Sequence, residues 1–483
     1  MLSAAILAEL QAAVGAEGLI AERNQLQTYE CDGLVALRGL PAAVVLPRST
    51  AQLQSVIAVC AQHHIPFVAR GAGTGLSGGA LPDDRGIVIS FSRMTRILAT
   101  DIPNQRITVQ AGVINAHVTQ SVASSGHFYA PDPSSQTVCT IGGNVAENSG
   151  GAHCLKYGFT TTHVLALEVV LPTGELVHFG SPTLDAPGYD LAGVFVGSEG
   201  TLGVASSMTL RIVRRPESVQ VLLAAFDSIS AAGQTVSDII AASILPSAME
   251  IMDRLSIQAA EAAVHPHYPE CEALLLVELD GPSVEVGLQM QQVRDLCKGN
   301  GAWEDRLAQS EQERILVWKG RKAAFAAAGR LSPDYIVQDG VIPRTKLPII
   351  LEQIAEMAAA TGLRVTNVFH AGDGNLHPLV LYNGSIPGQE ELALDLSTRI
   401  LHLCVDHGGS ITGEHGVGRD KQQALGYMYS EPDLDTMQRV RCSFDPENIA
   451  NPDKVFPRPR LCGEKPGPYT PHPLETAGVA EFF

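Results

Sequence analysis

Positive charge is in short supply. Lys and Arg number 33 against 51 Asp and Glu, a formal net charge of −18. Phosphate backbones and anionic membrane surfaces are bound by clustered Lys and Arg, so this balance argues against nucleic acid and lipid as partners. A small anionic substrate stays open, because one local Arg or a metal can dominate a pocket. Cysteine is sparse and scattered, with nine residues and no C-x-x-C. That speaks against an iron–sulfur cluster or a Cys-based zinc site within the chain, and it suits buried thiols in a reducing compartment. No apolar run approaches a membrane span. The opening MLSAAILAELQAAVG lacks the basic region of an export signal and carries Glu9, so it reads as a short amphipathic helix. A cytoplasmic chain is expected, reaching a membrane only peripherally through partner subunits. Internal repeats, a Walker A loop, a G-x-S-x-G elbow and H-E-x-x-H are all absent.

Glycine is abundant, with 46 residues, and much of it is concentrated in two loops. PAAVVLPRS reads as a strand. TAQLQSVIAVCAQHH reads as a helix from the spacing of Leu53, Val56, Ile57 and Cys60, capped by Ser49 or Thr50. IPFVAR is a second strand, and RGAGTGLSGGALP follows it at 70–82. Gly73, Gly75 and Gly78 form a literal G-x-G-x-x-G. A dinucleotide fingerprint needs its third glycine to open a helix. Here Pro82-Asp83-Asp84-Arg85-Gly86 and the strand GIVISF come almost at once. The loop is therefore a strand–loop–strand connection. It fits a phosphate nest of backbone N–H groups, with a plain surface loop as the alternative. The second loop, PDPSSQTVCTIGGNVAENSGGAHCLKYG at 131–158, precedes VLALEVVLPTGELV, read as one apolar strand, and GVFVGSEGTLGV. At 483 residues the chain has room for two or three domains. We expect an α+β cofactor domain over 1–216, then a cap domain over 217–420 built as an antiparallel sheet with helices on one face. A C-terminal segment, 421–458, returns to the cofactor domain. An extended Pro/Gly-rich tail fills 459–483.

The polar chemistry lies far from the glycine loops. In NVFHAGDGNLHPLVLY, His370 and His377 flank a turn between apolar runs, so a hairpin brings both imidazoles to one point. GSITGEHGVGRDK offers Glu414 and His415, and Gly413 and Gly416 permit the loop that both need to share a pocket. Two His and a carboxylate with open positions suit Zn²⁺, Mn²⁺ or Fe²⁺. Two hydrogen-bonded histidines beside a glycine-bracketed turn fit the spacing as well. Asp373 is a turn residue by its G-D-G context. The helix WKGRKAAFAAAGR carries Lys319, Arg321 and Lys322. Any of these could meet a carboxylate, or simply form a solvated basic face.

Taken together, PFVARGAGTGLSGG, IGGNVAENSGG, FVGSEGTLG, HAGDGNLHP, GEHGVG and the closing NPDKVF resemble the FAD-linked oxidases of the vanillyl-alcohol-oxidase type. The resemblance runs from about residue 40 to 458 and is strongest to the glycolate oxidase branch, with D-lactate and D-2-hydroxyglutarate dehydrogenases as relatives. It implies a two-subdomain FAD-binding domain of the p-cresol-methylhydroxylase (PCMH) type. In it Arg70, Gly71, Gly73, Thr74, Gly75, Ser77, Gly78 and Gly79 cradle the pyrophosphate. Pro131, Asp132, Gly142, Gly143, Ala146, Asn148 and Gly151 line the flavin and ribityl chain. Gly158, Gly203 and Asn375 complete the cofactor set. No His lies in 66–82, so the FAD is expected to be noncovalent. The family pattern makes His370, His377 and Glu414 ligands of a divalent metal, zinc ahead of manganese or iron, His415 the base and Arg321 the partner of the substrate carboxylate.

The implied reaction oxidises a short (R)-2-hydroxy acid, glycolate or D-lactate. The metal chelates the substrate, His415 takes the hydroxyl proton and hydride passes to flavin N5. One departure bears on the substrate. Hydroxyglutarate-type enzymes carry Lys two residues before the Asp of D-x-x-x-P, and this chain has Val337 before Asp339. D-2-hydroxyglutarate oxidation and a non-redox FAD transferase of the same fold are the rival readings. Electrons must leave to a quinone, a cytochrome, a partner iron–sulfur subunit or oxygen; a second flavin-fold subunit is a further candidate partner, and a homo-oligomer or hetero-complex is expected.

Overall fold

A computed structural model describes residues 2–183 and 187–457, so the expected tail at 459–483 lies outside the described residues. The first layer is a small sheet in the order Leu19–Ile20, Ala43–Val45, Ile87–Ser90, Phe67–Arg70. Its last three strands are parallel, with Val45 and Ala69 both opposite Ile89. The helix Thr50–His63 begins where Ser49 accepts a hydrogen bond from the Gln52 N–H. It buries Leu53, Val56, Ile57 and Cys60, the stripe its spacing implies. Residues 71–86 then join two adjacent parallel strands with no helix, so the glycine loop lies across the sheet's end rather than at the start of a crossover helix.

The second layer is antiparallel, in the order Ile97–Asp101, Arg106–Gln110, Val204–Arg211, Val164–Val170, Leu176–Gly180. VLALEVVLPTGELV is thus a hairpin and not a single strand. Pro172 has no N–H for a ladder, and Gly174 takes φ +88°, so the chain turns at Pro-Thr-Gly. One apolar core joins the two sheets, from Leu10 and Phe67 through Ile141 to Leu210.

The cap is a nine-stranded antiparallel sheet. The strand Ser218–Phe226 buries both faces. Leu222, Ala224 and Phe226 point into one core, and Val221, Leu223 and Ala225 into another. The first core is closed by the helices Ile229–Ala241, Ser283–Gly299, Leu347–Thr361 and Gln389–Asp406. The opposite face, expected to be bare of helices, is covered by Arg254–Val264 and Glu311–Ala327. A strand apolar on both sides needs cover on both sides, and this second helical layer carries Arg321 and Lys322 to the site. The chain then returns to the first sheet. Phe67 N–H donates to Ile449 O at 2.8 Å, and Asn451 N–H donates to Phe67 O at 2.8 Å.

Candidate active site

The two glycine loops meet at the mouth of the first layer. A Cβ on Gly71 would lie 2.2 Å from Thr140 Oγ1, and one on Gly142 would lie 2.8 Å from Ala111 Cβ, so neither loop could close as it does with larger residues. Gly73 and Gly78 take φ of +72° and +75°. Thr140 caps the helix Ile141–Glu147 by accepting from Gly143 N–H. Between the loops lies a cavity of about 750 Å³, which extends to Glu414 and His415. Arg70, Gly71, Gly73, Thr74, Gly75, Gly79, Gly142, Gly143, Ala146 and Gly203 line it.

The remaining residues expected around the cofactor are tied into the loops by their own contacts. Ser77 Oγ donates to His415 O at 2.9 Å, and Gly78 packs against Arg419. Pro131 O accepts from Asn115 Nδ2, while Asn148 ends the helix in a left-handed conformation. Gly151 takes φ +146° against Asp132, Gly158 ends the short helix Cys154–Tyr157, and Asn375 lies against Gly413. These contacts shape the two loops.

Asp132, expected beside the flavin, is paired with His153. Its Oδ2 is 2.9 Å from His153 Nδ1, whose Nε2 is 2.9 Å from Glu278 Oε1 on the cap. Glu278 also accepts from Trp318 Nε1 at 2.7 Å, and Lys322 Nζ is 3.8 Å from Asp132. Burial alone would lower the His153 pKa. Asp132 and Glu278 outweigh it and raise it well above 6.5. A raised imidazole pKa contributes stability that is fully present below pH 6.5 and is lost as pH rises through the folded-state value. His153→Asn should therefore destabilise the protein near pH 6 by about 1.5–3 kcal/mol per charged hydrogen bond lost. The deficit should shrink at alkaline pH, as melting curves of both proteins across pH would show. A deficit independent of pH would refute this charge-based account.

His370 ends the strand Arg364–His370 and pairs in register with Asn375 across the turn, where Gly374 takes φ +78°. The hairpin does bring the two imidazoles together, with ring centroids 5.1 Å apart. Glu414 Oε1 lies 3.4 Å from His370 Nε2, 3.2 Å from His377 Nε2 and 3.7 Å from His415 Nε2. Ligand atoms of His370, His377 and Glu414 all fall within 4.8 Å of one another. His377 Nε2 is fully buried and makes no well-aligned hydrogen bond although Glu414 Oε1 is 3.2 Å away, a pairing that fits two ligand atoms turned to a shared cation. Burial alone would raise the Glu414 pKa. The two histidines outweigh it and hold the carboxylate ionised, well below its ordinary value.

A second group, Asp339, His377 and His415, also converges. Asp339 is already engaged through Oδ2, however. It accepts from Thr412 Oγ1 at 2.6 Å and from the N–H groups of Gly413, Glu414 and His415 at 3.0, 3.2 and 2.9 Å, and Lys421 Nζ is 3.4 Å away. It holds the GEHG turn and faces His377 Nδ1 at 3.8 Å and His415 Nδ1 at 3.9 Å. His415 stacks on His377, with centroids 5.0 Å apart and planes inclined 12°. Burial pushes the His415 imidazole down to about 4 against the pull of Asp339, so it is neutral near pH 7.

Arg321, expected to meet the substrate carboxylate, is paired with a carboxylate of the protein. Its guanidinium is 2 % exposed and turned to Glu250, Nε donating to Oε2 at 2.7 Å. Lys322, the next residue, lines the cavity instead, together with Phe325, Tyr335, Val337 and Tyr382. Four further acids, Glu147, Glu199, Asp334 and Asp420, line it, and the first two stand in the glycine-rich segments. Glu199 accepts from Val417 and Gly418 N–H at 2.7 and 2.6 Å, tying FVGSEGTLG to GEHGVG. The only sequence signal for Glu147 and Glu199 was an acid inside each glycine-rich segment.

Residues 41–180 match the family described as FAD binding domain, and residues 215–455 match FAD linked oxidases, C-terminal domain. Glycolate oxidase subunit GlcD of Escherichia coli (strain K12) is 48% identical over 442 residues, 91% of this chain and 89% of its own length. D-lactate dehydrogenase of Anaerostipes hadrus is 32% identical over 429 residues, 86% of this chain and 89% of its own. The crystal structure of p-cresol methylhydroxylase with substrate bound superposes with a TM-score of 0.79 at 16% identity, covering 93% of this chain and 96% of that one. The last likeness shows the fold alone.

Proposed function

Because the chain belongs to the FAD-linked oxidases, we propose that it oxidises a short (R)-2-hydroxy acid, glycolate or D-lactate, to the 2-oxo acid at the centre formed by His370, His377, Glu414 and His415. The enzyme is an FAD-linked oxidoreductase, and hydroxy-acid oxidation is the reaction its relatives' names carry. The observation that carries the finer reading is the convergence of three ligand atoms on one point at the end of the cofactor cavity, with a neutral imidazole beside them. His370, His377 and Glu414 would hold a divalent cation, and the donor set of two imidazoles and a carboxylate suits zinc, manganese or iron.

Bound FAD supplies the acceptor for the hydride from C2, and a cation in the triad supplies a Lewis acid for the hydroxyl and carboxylate oxygens. The chain's own groups do the rest. His415 takes the hydroxyl proton; Asp339 faces its Nδ1, which leaves Nε2 on the Glu414 side. Lys322 is a cation on the cap side of the cavity wall, opposite the glycine loop that carries Arg70, and takes the role of steering the substrate carboxylate that the family pattern gives to Arg321. Phe325, Tyr335, Val337 and Tyr382 make the surrounding wall largely apolar and exclude water from the reacting carbon. Among the described residues no helix is long and apolar enough to cross a membrane. The printed name of the E. coli relative makes it a subunit, and we infer that this chain too hands its electrons to a partner subunit.

Val337 lines the cavity, so a second carboxylate would meet a methyl-rich wall where a Lys is needed. Anaerobic mixing with glycolate, D-lactate, L-lactate and D-2-hydroxyglutarate tests both substrate and hand. The flavin band should bleach with the first two and not with L-lactate. D-2-hydroxyglutarate should be poor, and Val337→Lys should improve it at least tenfold in kcat/KM, about 1.4 kcal/mol for the new ion pair. Bleaching by none of the four would reject the reading, and bleaching by L-lactate alone would reverse its stereochemistry.

A further inference from the structure

The geometry points to Glu250, backed by Arg321, as the positioning residue that sets the orientation of His370 in the cation centre. Arg321 therefore acts through Glu250 and not on the substrate. This inference rests on the reading of His370, His377 and Glu414 as cation ligands.

Glu250 is the one acid within an otherwise apolar run, Ala-Met-Glu-Ile-Met, of the strand Ala248–Asp253. It is 0 % exposed and sits directly across the sheet from His370 in the antiparallel register. An isolated carboxylate there would be costly, and a salt bridge of this burial seldom adds net stability. Both its oxygens are occupied. Oε1 is 2.7 Å from His370 Nδ1, and Oε2 lies 2.7 Å from Arg321 Nε and 2.6 Å from Nη2. A buried line of Arg, Glu and His thus ends at His370 Nε2, 3.4 Å from Glu414 Oε1. Holding the proton on Nδ1 leaves the Nε2 lone pair facing Glu414 and the open positions.

His377 is supported differently. Its Nδ1 has a backbone carbonyl, Gln338 O, at 3.3 Å and a carboxylate only at 3.8 Å. Carboxylate support behind a ligating imidazole fixes its tautomer and ring plane and strengthens it as a ligand. The two histidines are therefore unequal, and His370 is the one whose hold on the cation depends on a charged partner. A purely structural ion pair between the helix Glu311–Ala327 and the sheet would have no need for the second carboxylate oxygen to meet His370.

The test uses the full-length FAD-loaded protein and its Zn²⁺ affinity, read by competition with a chromophoric chelator. Co²⁺ substitution adds the visible ligand-field spectrum. Glu250→Gln should weaken Zn²⁺ binding roughly 10–100-fold and shift the Co²⁺ spectrum, with FAD content unchanged. Glu250→Asp should recover part of the loss. Should Glu250→Gln fail to accumulate, Arg321→Lys carries the test, with binding at least threefold weaker expected at an unchanged substrate KM under saturating Zn²⁺. Wild-type Zn²⁺ affinity in a folded Glu250→Gln protein would overturn the proposal. So would an Arg321→Lys protein with raised KM and intact Zn²⁺ affinity, because Arg321 would then act on the substrate. A wild-type protein that binds no Zn²⁺ or Co²⁺ would instead overturn the cation reading itself, and this proposal with it.

Discussion

His415→Asn should retain FAD and the cation yet reduce its flavin with glycolate or D-lactate at least a hundredfold more slowly, and up to ten-thousandfold. General-base catalysis by a positioned imidazole contributes an effect of that size. The expectation of an otherwise intact site comes from how the turn is held. The backbone of residue 415 donates to Asp339 at 2.9 Å and accepts from Ser77 Oγ at 2.9 Å, and neither bond uses the ring. His415 stacks on His377 and faces Asp339 at 3.9 Å, so the substitution removes a stacking partner but strands no buried hydrogen bond. Asn is polar and cannot take a proton near neutral pH. Stopped-flow reduction, with FAD and metal contents measured on the same sample, separates the roles. Wild-type bleaching in His415→Asn would assign the base elsewhere.

His377→Gln should be as severe for a different reason. His377 is 0 % exposed, and its buried Nε2 faces Glu414 Oε1 at 3.2 Å without a well-aligned hydrogen bond. An amide at this position fills space without supplying an imidazole ligand. Loss of Lewis-acid stabilisation of several kcal/mol corresponds to roughly a thousandfold or more in rate. The two variants differ in a second readout, because His377→Gln should lose the cation while His415→Asn keeps it. Equal cation content in both would contradict the division of labour between ligand and base.

Much of this arrangement was legible in the sequence wherever a local rule applied. The missing helix after RGAGTGLSGG separated the loop from a dinucleotide fold, and the structure puts that loop between adjacent parallel strands. A glycine at φ +78° in G-D-G makes His370 and His377 converge, a consequence of hairpin geometry that two residues of sequence can announce. The losses came where sheet register or helix phase decides. Glu250 and His370 are neighbours only because the strands Ala248–Asp253 and Arg364–His370 pair in one register, which no spacing between residues so far apart reveals. WKGRK offers three cations, and helix phase buries Arg321 while turning Lys322 to the cavity. Asp339 drew notice only as a landmark beside Val337, yet it organises the whole GEHG turn. The second helical layer of the cap was legible in principle. Strands such as VQVLLAAF are apolar at every position but one, and such a strand must be covered on both faces.

Chelator treatment of the wild-type protein before anaerobic mixing is the measurement closest to the central claim, that His370, His377 and Glu414 hold a cation on which the oxidation depends. The account predicts that the chelated protein keeps its FAD spectrum, fails to bleach with glycolate or D-lactate, and recovers when Zn²⁺ or Mn²⁺ is restored. Full-rate bleaching by a protein shown to be free of metal would contradict it.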